Sequence, residues 1–383
     1  MSGLYIHIPY CKQRCIYCDF YSSAKKEDKK EYLDALIREF EERKGEVKEE
    51  IQTLYIGGGT PTTLRKEEIS YLFENIMKDK KLFNLREITI EANPENLSRD
   101  YLEFLIKNTP INRLSIGIQS FDNKDLETIG RKHSREDAIR AVKDAQDLGI
   151  ENISIDLIYN LPNMDNEKWL SNLQIARDLN IQHISAYSLS VEENTILHKL
   201  IEKGKLSLAS EEKQIQQYDI TIDYLTKNGF EHYETSSFAS LSHLNENNES
   251  AFRSKHNSSY WNNTAYIGLG ASAHSYDLEK RRWNVSDIKE YTEKINQNKT
   301  YYEIETLSLK DRYNEYIIVG TRIKEGLSEK YIEEMFPLSF ITHFMTQVKS
   351  LVEGKLLEKN DSRYTLTKEG EHIANTVALK LIK

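Results

Sequence analysis

Leu4-Tyr5-Ile6-His7-Ile8-Pro9-Tyr10-Cys11-Lys12-Gln13-Arg14-Cys15-Ile16-Tyr17-Cys18 is the stretch on which the reading of this chain turns. A short β run over residues 4–8 meets Pro9, which has no amide hydrogen for a ladder. It then passes into a loop with three cysteines, and no other cysteine occurs among the 383 residues. An odd number of closely spaced thiols argues against a disulfide framework and for metal or redox chemistry. Three thiolates on a loop after a strand can hold three irons of a [4Fe–4S] cube, whereas ordinary clusters are closed by four cysteines. The remaining iron would be open to an outside ligand. Two other readings stand beside this one: three structural thiols, or a zinc site completed by His7. The zinc reading lacks the usual C-x2-C spacing and a second ligand pair.

Outward from this loop the same strand-then-helix pattern recurs. Further β runs lie at 53–56, 87–91, 113–118, 152–158 and 183–189, separated by amphipathic helical stretches. In residues 29–48, for example, Tyr32, Leu33, Leu36, Ile37 and Phe40 share one face at a 3.6-residue period. Six βα units in series imply parallel strands with right-handed crossovers. The expected class is α/β: a parallel βα barrel of about six strands, partial or complete TIM-type, with an open doubly wound sheet as the alternative. Chemistry in such folds collects at the carboxyl ends of the strands. Here those ends carry the cysteine loop, Gly57-Gly58-Gly59-Thr60-Pro61, Glu91-Ala92-Asn93-Pro94, Gln119-Ser120 and Asp156-Leu157-Ile158-Tyr159. Residues 240–250 are rich in Ser, Asn and Glu and read as a loop. The last eighty or so residues read as a smaller, mainly helical module, in which 351–357 and then 360–362 and 363–367 suggest a helix followed by a small hairpin, winged-helix-like. The expected division is a barrel at 1–240, a connecting segment at 241–300 and the helical domain at 301–383.

Composition narrows the function classes. Hydrophobic residues make up 39% and charged residues 30%, the balance of a soluble globular chain. The net charge of −9, without a basic stripe, excludes nucleic-acid binding as the main task. The lysine-rich residues 24–30 mix both signs and read as a solvated helix start. No apolar run is long enough to cross a bilayer, so membrane association is at most peripheral. The opening MSGLYIHIPYC lacks the features of a signal peptide, and a cytoplasmic address is expected.

The loop Cys11-x3-Cys15-x-Tyr17-Cys18 resembles the signature of the radical S-adenosylmethionine (SAM) superfamily. That resemblance implies a [4Fe–4S] cluster on Cys11, Cys15 and Cys18, with SAM chelating the open iron and Tyr17 lying against its adenine. An electron from the reduced cluster then splits the sulfonium to a 5′-deoxyadenosyl radical. The residues 5–11, the GGGTP run, Glu91–Pro94, Ser115–Ser120, Gly130-Arg131 and Asp156–Pro162 are similar, in that order, to the oxygen-independent coproporphyrinogen III oxidase family. By this resemblance SAM is held by Tyr5, Tyr17, Gly57, Gly58, Gly59, Thr60, Glu91, Gln119, Arg131 and Asp156. The glycines would let backbone amides approach the methionyl end. Glu91 would lie near the amino group, Asp156 on the ribose hydroxyls and Arg131 on the carboxylate. On pattern alone the glycine run is a tight turn, the carboxylates are caps or surface ion pairs, and Tyr5 is core packing.

Two departures from the oxidases matter. Those enzymes have a further cysteine two residues after the third, where this chain has Phe20, and an extension before the first strand. The Cys18-Asp19-Phe20 version resembles the HemW-type haem chaperone subgroup, as does His256-Asn257-Ser258-Ser259-Tyr260-Trp261, its HNxxYW motif. The resemblance implies haem as cargo, with His256, Tyr260 and Trp261 as candidate contacts, a haem-acceptor protein and an electron donor as partners. Imidazole is a common axial ligand and aromatic rings pack on a macrocycle. Read as a bare hexapeptide, His256 caps a turn and Trp261 fills the core. His7 and His274 read as structural. The alternative function is oxidative decarboxylation of coproporphyrinogen III to protoporphyrinogen IX.

Overall fold

Side chains alternate between the two faces of a strand, and in the first six strands that alternation separates core from site. A computed structural model of the protein describes residues 2–24 and 29–383; residues 25–28 of the mixed-charge run lie outside it. The strands are β1 (Ser2–Ile8), β2 (Ile51–Gly58), β3 (Phe83–Ala92), β4 (Arg113–Gln119), β5 (Asn152–Tyr159) and β6 (His183–Ser188). Each pairs in parallel with the next. Between and after them run α1 (Lys29–Arg43), α2 (Lys66–Ile76), α3 (Arg99–Asn108), α4 (Asn123–Thr128), α5 (Arg135–Asp147), α6 (Asn166–Asp178), α7 (Ile196–Glu202) and α8 (Glu211–Lys227). Serine or aspartate caps start several of these helices: Ser98, Ser134 and Asp165 each accept an amide hydrogen from the first turn.

One strand face carries Leu4, Ile6, Leu54, Ile56, Ile90, Leu114, Ile116, Ile155 and Ile184, all buried, in one core with Leu33 and Leu36 of α1. The registers Ile6↔Ile56, Ile56↔Ile90 and Ile90↔Leu114 stack them into a row. The opposite face carries Tyr55, Glu91, Arg113, Ser115, Gly117, Asp156 and Ser185, and these line a cavity. Apolar burial against the helices holds the sheet, at roughly 1.5–3 kcal/mol per fully buried aliphatic side chain. The polar interior is thus free to serve a site.

The sheet is wider than six strands. It continues through β7 (Phe230–Glu234), β8 (Ser237–Ser240), β9 (Tyr266–Leu269), β10 (His274–Tyr276), β11 (Lys280–Asn284) and β12 (Tyr302–Thr306), in the order β12-β11-β10-β9-β1-β2-β3-β4-β5-β6-β8-β7. Short α9 (Lys255–Trp261) and α10 (Ile288–Asn296) interrupt this half. β9 is parallel to β1, while β10 and β11 are antiparallel. Since β1 and β6 have other neighbours, the six-stranded barrel is partial and open.

The chain divides into two compact units, Met1–Glu231 with Phe238–Ile304, and His232–Ser237 with Glu305–Lys383. The second is mainly helical. Its helices Leu309–Gly320, Leu338–Glu353 and Ala374–Leu381 pack Tyr313, Phe344, Leu351 and Leu381 into a core of their own. The expected hairpin pairs Leu357–Asn360 with Arg363–Leu366, turning at Asp361 with φ 54°. No helix among the described residues is long and apolar enough to cross a membrane.

Candidate functional site

The cysteine loop is tied down by its backbone. Ser23 N donates to Pro9 O at 2.7 Å and Cys11 N to Ser23 O at 2.9 Å. Leu197 N donates to Ile16 O at 2.8 Å, and Gln13 Nε2 to Gly130 O at 3.2 Å. These bonds set Cys11, Cys15 and Cys18, all half-buried, on the wall of one cavity of about 430 Å³ at the strand ends. Cys11 Sγ lies 3.6 Å from Thr60 Oγ1, and Arg131 Nη1 donates to Cys15 Sγ at 3.4 Å. Burial raises the Cys11 thiol and pushes Cys18 up to about 11, so a bound cation would be needed to hold the thiolates. A cube takes each thiolate on a different iron, which suits three thiols spread along one wall. His7 itself is committed, with Nδ1 bonded to Tyr5 OH at 2.9 Å and Nε2 to Tyr21 O at 3.1 Å. His274 lies at an exposed strand position against the Trp283 ring.

Two carboxylates face the same cavity from β3 and β5. Glu91 Oε1 accepts from Tyr55 OH at 2.7 Å and Oε2 from Gly58 N at 3.0 Å. Removal from water raises Glu91 to about 7, the Asp156 charge adding to the effect while the Tyr55 and Gly58 donors and Arg113 oppose it. Asp156 is raised to about 6, again chiefly by burial, with Arg113 and Ser185 opposing. Arg113, the first residue of β4, is 1% exposed and reaches the cavity with Nε and Nη1 lacking any hydrogen-bond partner. Arg131 donates through Nη2 to Asn93 Oδ1 at 2.6 Å and to Gly117 O, and its buried Nε has no partner. Asn93 Nδ2 in turn donates to Thr60 Oγ1 at 3.1 Å. Gln119 lines the wall with φ 69°, just after the register shift that ends β4. A cavity with acidic groups, two guanidiniums and unpaired donors suits a zwitterionic ligand that carries both charges.

The glycine run works differently from its expected role. Gly58 N goes to Glu91, Gly59 N to Ile8 O at 2.9 Å and Thr60 N to Tyr10 O at 2.7 Å, so these amides are taken by the protein. The glycines make room for their neighbours. A Cβ on Gly57 would lie 2.9 Å from the Glu91 carboxyl, and one on Gly58, at φ +111°, 2.6 Å from the His7 ring. Of the expected SAM residues, Tyr17, Gly58, Gly59, Thr60, Glu91, Gln119, Arg131 and Asp156 line the cavity with the three cysteines, while Tyr5 and Gly57 stand behind it.

His256, Tyr260 and Trp261 do not line it either; Asn257 of the same motif does. His256 is fully buried, with Nδ1 bonded to Thr53 Oγ1 and Nε2 to Tyr260 OH, both at 2.9 Å. A haem iron could reach that imidazole only by displacing one of them. Trp261 is half-buried. Tyr55, Arg113 and Ser185 are cavity residues outside the motifs, and Asn93 and Ser115 lie within them without an assigned role. Counting back by twos along the inward face reaches Ser115 and Arg113 from Gly117, and Tyr55 from Gly57.

Residues 5–176 match the model of the radical SAM superfamily, and residues 307–371 that of the HemN C-terminal domain. Fold and cysteine-lined cavity together define a radical SAM protein. A Bacillus subtilis protein named haem chaperone HemW is 34% identical over 381 residues, 98% of this chain and 98% of its own length. A Lactococcus lactis protein of the same name is 35% identical over 382 residues, 100% of this chain and 97% of its own. The chain belongs to this HemW family within the radical SAM superfamily. The solved coproporphyrinogen III oxidase (HemN) from Escherichia coli, described as a radical SAM enzyme, shares the fold. Its TM-score is 0.82 at 23% identity, over 100% of this chain and 90% of that one.

Proposed function

We propose that this chain is a cytoplasmic haem chaperone that keeps a [4Fe–4S] cluster and SAM in the cavity at the strand ends, carries haem, and delivers it to an acceptor protein. The observation that carries the reading is end-to-end similarity to proteins named haem chaperones. Phe20, 68% exposed on the cavity wall where the oxidases place a further cysteine, supports it. When bound, cluster and SAM supply one-electron chemistry, driven by an external electron donor.

The chain's own residues hold and orient that pair. Cys11, Cys15 and Cys18 would each hold an iron, and Arg131, which donates to Cys15, would offer its unpaired Nε to the SAM carboxylate. Glu91 and Asp156 would take the amino group and the ribose hydroxyls and Tyr17 the adenine, while Gly58, Gly59, Thr60 and Gln119 shape the wall. Tyr5 and Gly57 support Tyr55 and Glu91 from behind. Absorbance titration of anaerobically reconstituted protein with haem, beside an assay for protoporphyrinogen IX formation from coproporphyrinogen III, tests the function. Stoichiometric haem binding without turnover is expected. Turnover without haem binding would establish the oxidase instead.

A further inference from the structure

The HNSSYW helix is joined to the cavity by a column of rings. Glu91 Oε1 accepts from Tyr55 OH, and the Tyr55 ring stacks on two others: Tyr5, with centroids 6.1 Å apart at 28°, and His256, at 5.1 Å and 27°. His256 is held on every side. Its amide donates to Glu87 Oε1 and that of Lys255 to Glu87 Oε2, both at 2.9 Å. Its ring nitrogens are filled by Thr53 and Tyr260. Thr53 and Tyr55 share β2, and Glu87 and Glu91 share β3, so His256 joins the two strands that place the carboxylate, its ring bonded to β2 and its backbone amide to β3. Space is tight as well: a Cβ on Gly3 would lie 3.3 Å from His256 Cε1. Burial and then the nearby Arg113 charge lower His256 to about 3, so the ring is neutral and acts through shape and two hydrogen bonds.

We propose that His256 is a positioning residue of the cofactor cavity: its ring fixes Tyr55, whose hydroxyl aims Glu91 at the cationic amino group of SAM. This rests on the cavity being the SAM site. The motif histidine then acts on SAM affinity and leaves haem ligation to other groups. Glu91 is faced by Tyr5 from β1, Tyr55 and the Gly58 amide from β2, Arg113 from β4, Asp156 from β5 and Tyr260 from α9. Among these the Tyr55 hydroxyl is a donor that favours the ionised carboxylate, so losing it moves Glu91 ionisation to higher pH.

The test is SAM binding by calorimetry to cluster-reconstituted full-length protein between about pH 6 and 8.5, a range spanning the carboxylate transitions, with haem absorbance titrated separately. Glu91→Ala should abolish SAM binding; normal binding there would remove the cavity reading and this inference with it. Tyr55→Phe, which deletes one atom, should weaken SAM about tenfold and move the pH midpoint of binding upward. His256→Ala should weaken SAM to a similar extent, His256→Gln should recover part of the loss, and the double variant with Tyr55→Phe should be no worse than Tyr55→Phe alone. Haem spectra should be unchanged in Tyr55→Phe and His256→Gln. Wild-type SAM affinity and pH midpoint in Tyr55→Phe, with Glu91→Ala inactive in binding, would overturn the proposal, and it stands as a test even should His256→Ala fail to fold. Loss of the haem spectrum in His256→Gln with SAM binding intact would overturn it equally.

Discussion

Two buried polar clusters lie in the barrel unit, and they differ in how completely they are satisfied. Around Glu39 of α1 both carboxylate oxygens are filled. Oε1 accepts from Arg43 Nη1 at 2.9 Å and Asn284 Nδ2 at 2.8 Å, and Oε2 from Gly270 N at 2.8 Å and Tyr291 OH at 2.5 Å. Around Glu91 and Asp156 the donors at hand are not all used, since Arg113 keeps Nε and Nη1 unpaired and Arg131 keeps Nε. Leaving a buried donor unpaired costs about 1–3 kcal/mol. The first cluster clamps α1 to the added strands β9–β11. The second withholds hydrogen bonds that a ligand can make. Between these two clusters it is the pairing of the charged groups, more than burial, that separates framework from site, although Asn284 Oδ1 beside Glu39 also lacks a partner.

The sharpest way to break this contrast is at the saturated end. Glu39→Ala removes the acceptor shared by Arg43, Asn284, Tyr291 and the Gly270 amide, and should cost about 3–5 kcal/mol in denaturant unfolding while SAM affinity of the folded protein stays as in wild type. Loss of affinity at equal folded fraction would show that the clamp belongs to the site. At the open end, Arg113→Met removes a charge that is already poorly paired. Its stability should change by less than about 1 kcal/mol. SAM affinity at neutral pH should fall several-fold, because Arg113 helps keep both Glu91 and Asp156 ionised. A large stability loss with normal binding would erase the distinction between the clusters.

The pH dependence sharpens the same point. Glu91 is raised from 4.5 to about 7 and Asp156 from 3.8 to about 6 in the fold, so between those values the folded chain holds protons that the unfolded chain has released. Their contribution to stability without ligand therefore falls as pH rises from about 4 toward 7. Binding of a cationic ligand runs the other way and strengthens as they ionise. The rise in Tm on adding SAM should be small near pH 6 and grow toward pH 8; a pH-independent rise would remove these carboxylates from the binding site. The smallest effect is expected at Phe20. Exposed as it is, Phe20→Ala should alter unfolding free energy by less than about 0.5 kcal/mol, and any change in haem titration would then report contact rather than folding.

Much of this could be read from the chain alone because it rests on local rules. Period-two runs ending in Gly, Asn-Pro or Gln-Ser locate strand ends, and the order of βα units leaves few topologies. Cys11, Cys15 and Cys18 within one loop must sit near one another whatever the fold does. Less legible were the short strands β7–β12, whose runs of three to five residues carry little periodic signal. Their place follows from pairing with distant partners, as Gly3 with Tyr266 does.

The three-thiol loop, the parallel βα order and the set of strand-end residues were legible in the chain, because each depends on neighbours within a few positions. Tertiary structure alone decided the rest. It gave the amides of the glycine run to Glu91 and to the first strand, left Arg113 Nε and Nη1 without a hydrogen-bond partner, and closed His256 between Thr53 and Tyr260 against the Tyr55 ring. The physical reason is that a hydrogen bond counts partners in space. A donor 203 residues away in sequence can fill an imidazole nitrogen as well as an adjacent one, and no local pattern records which does.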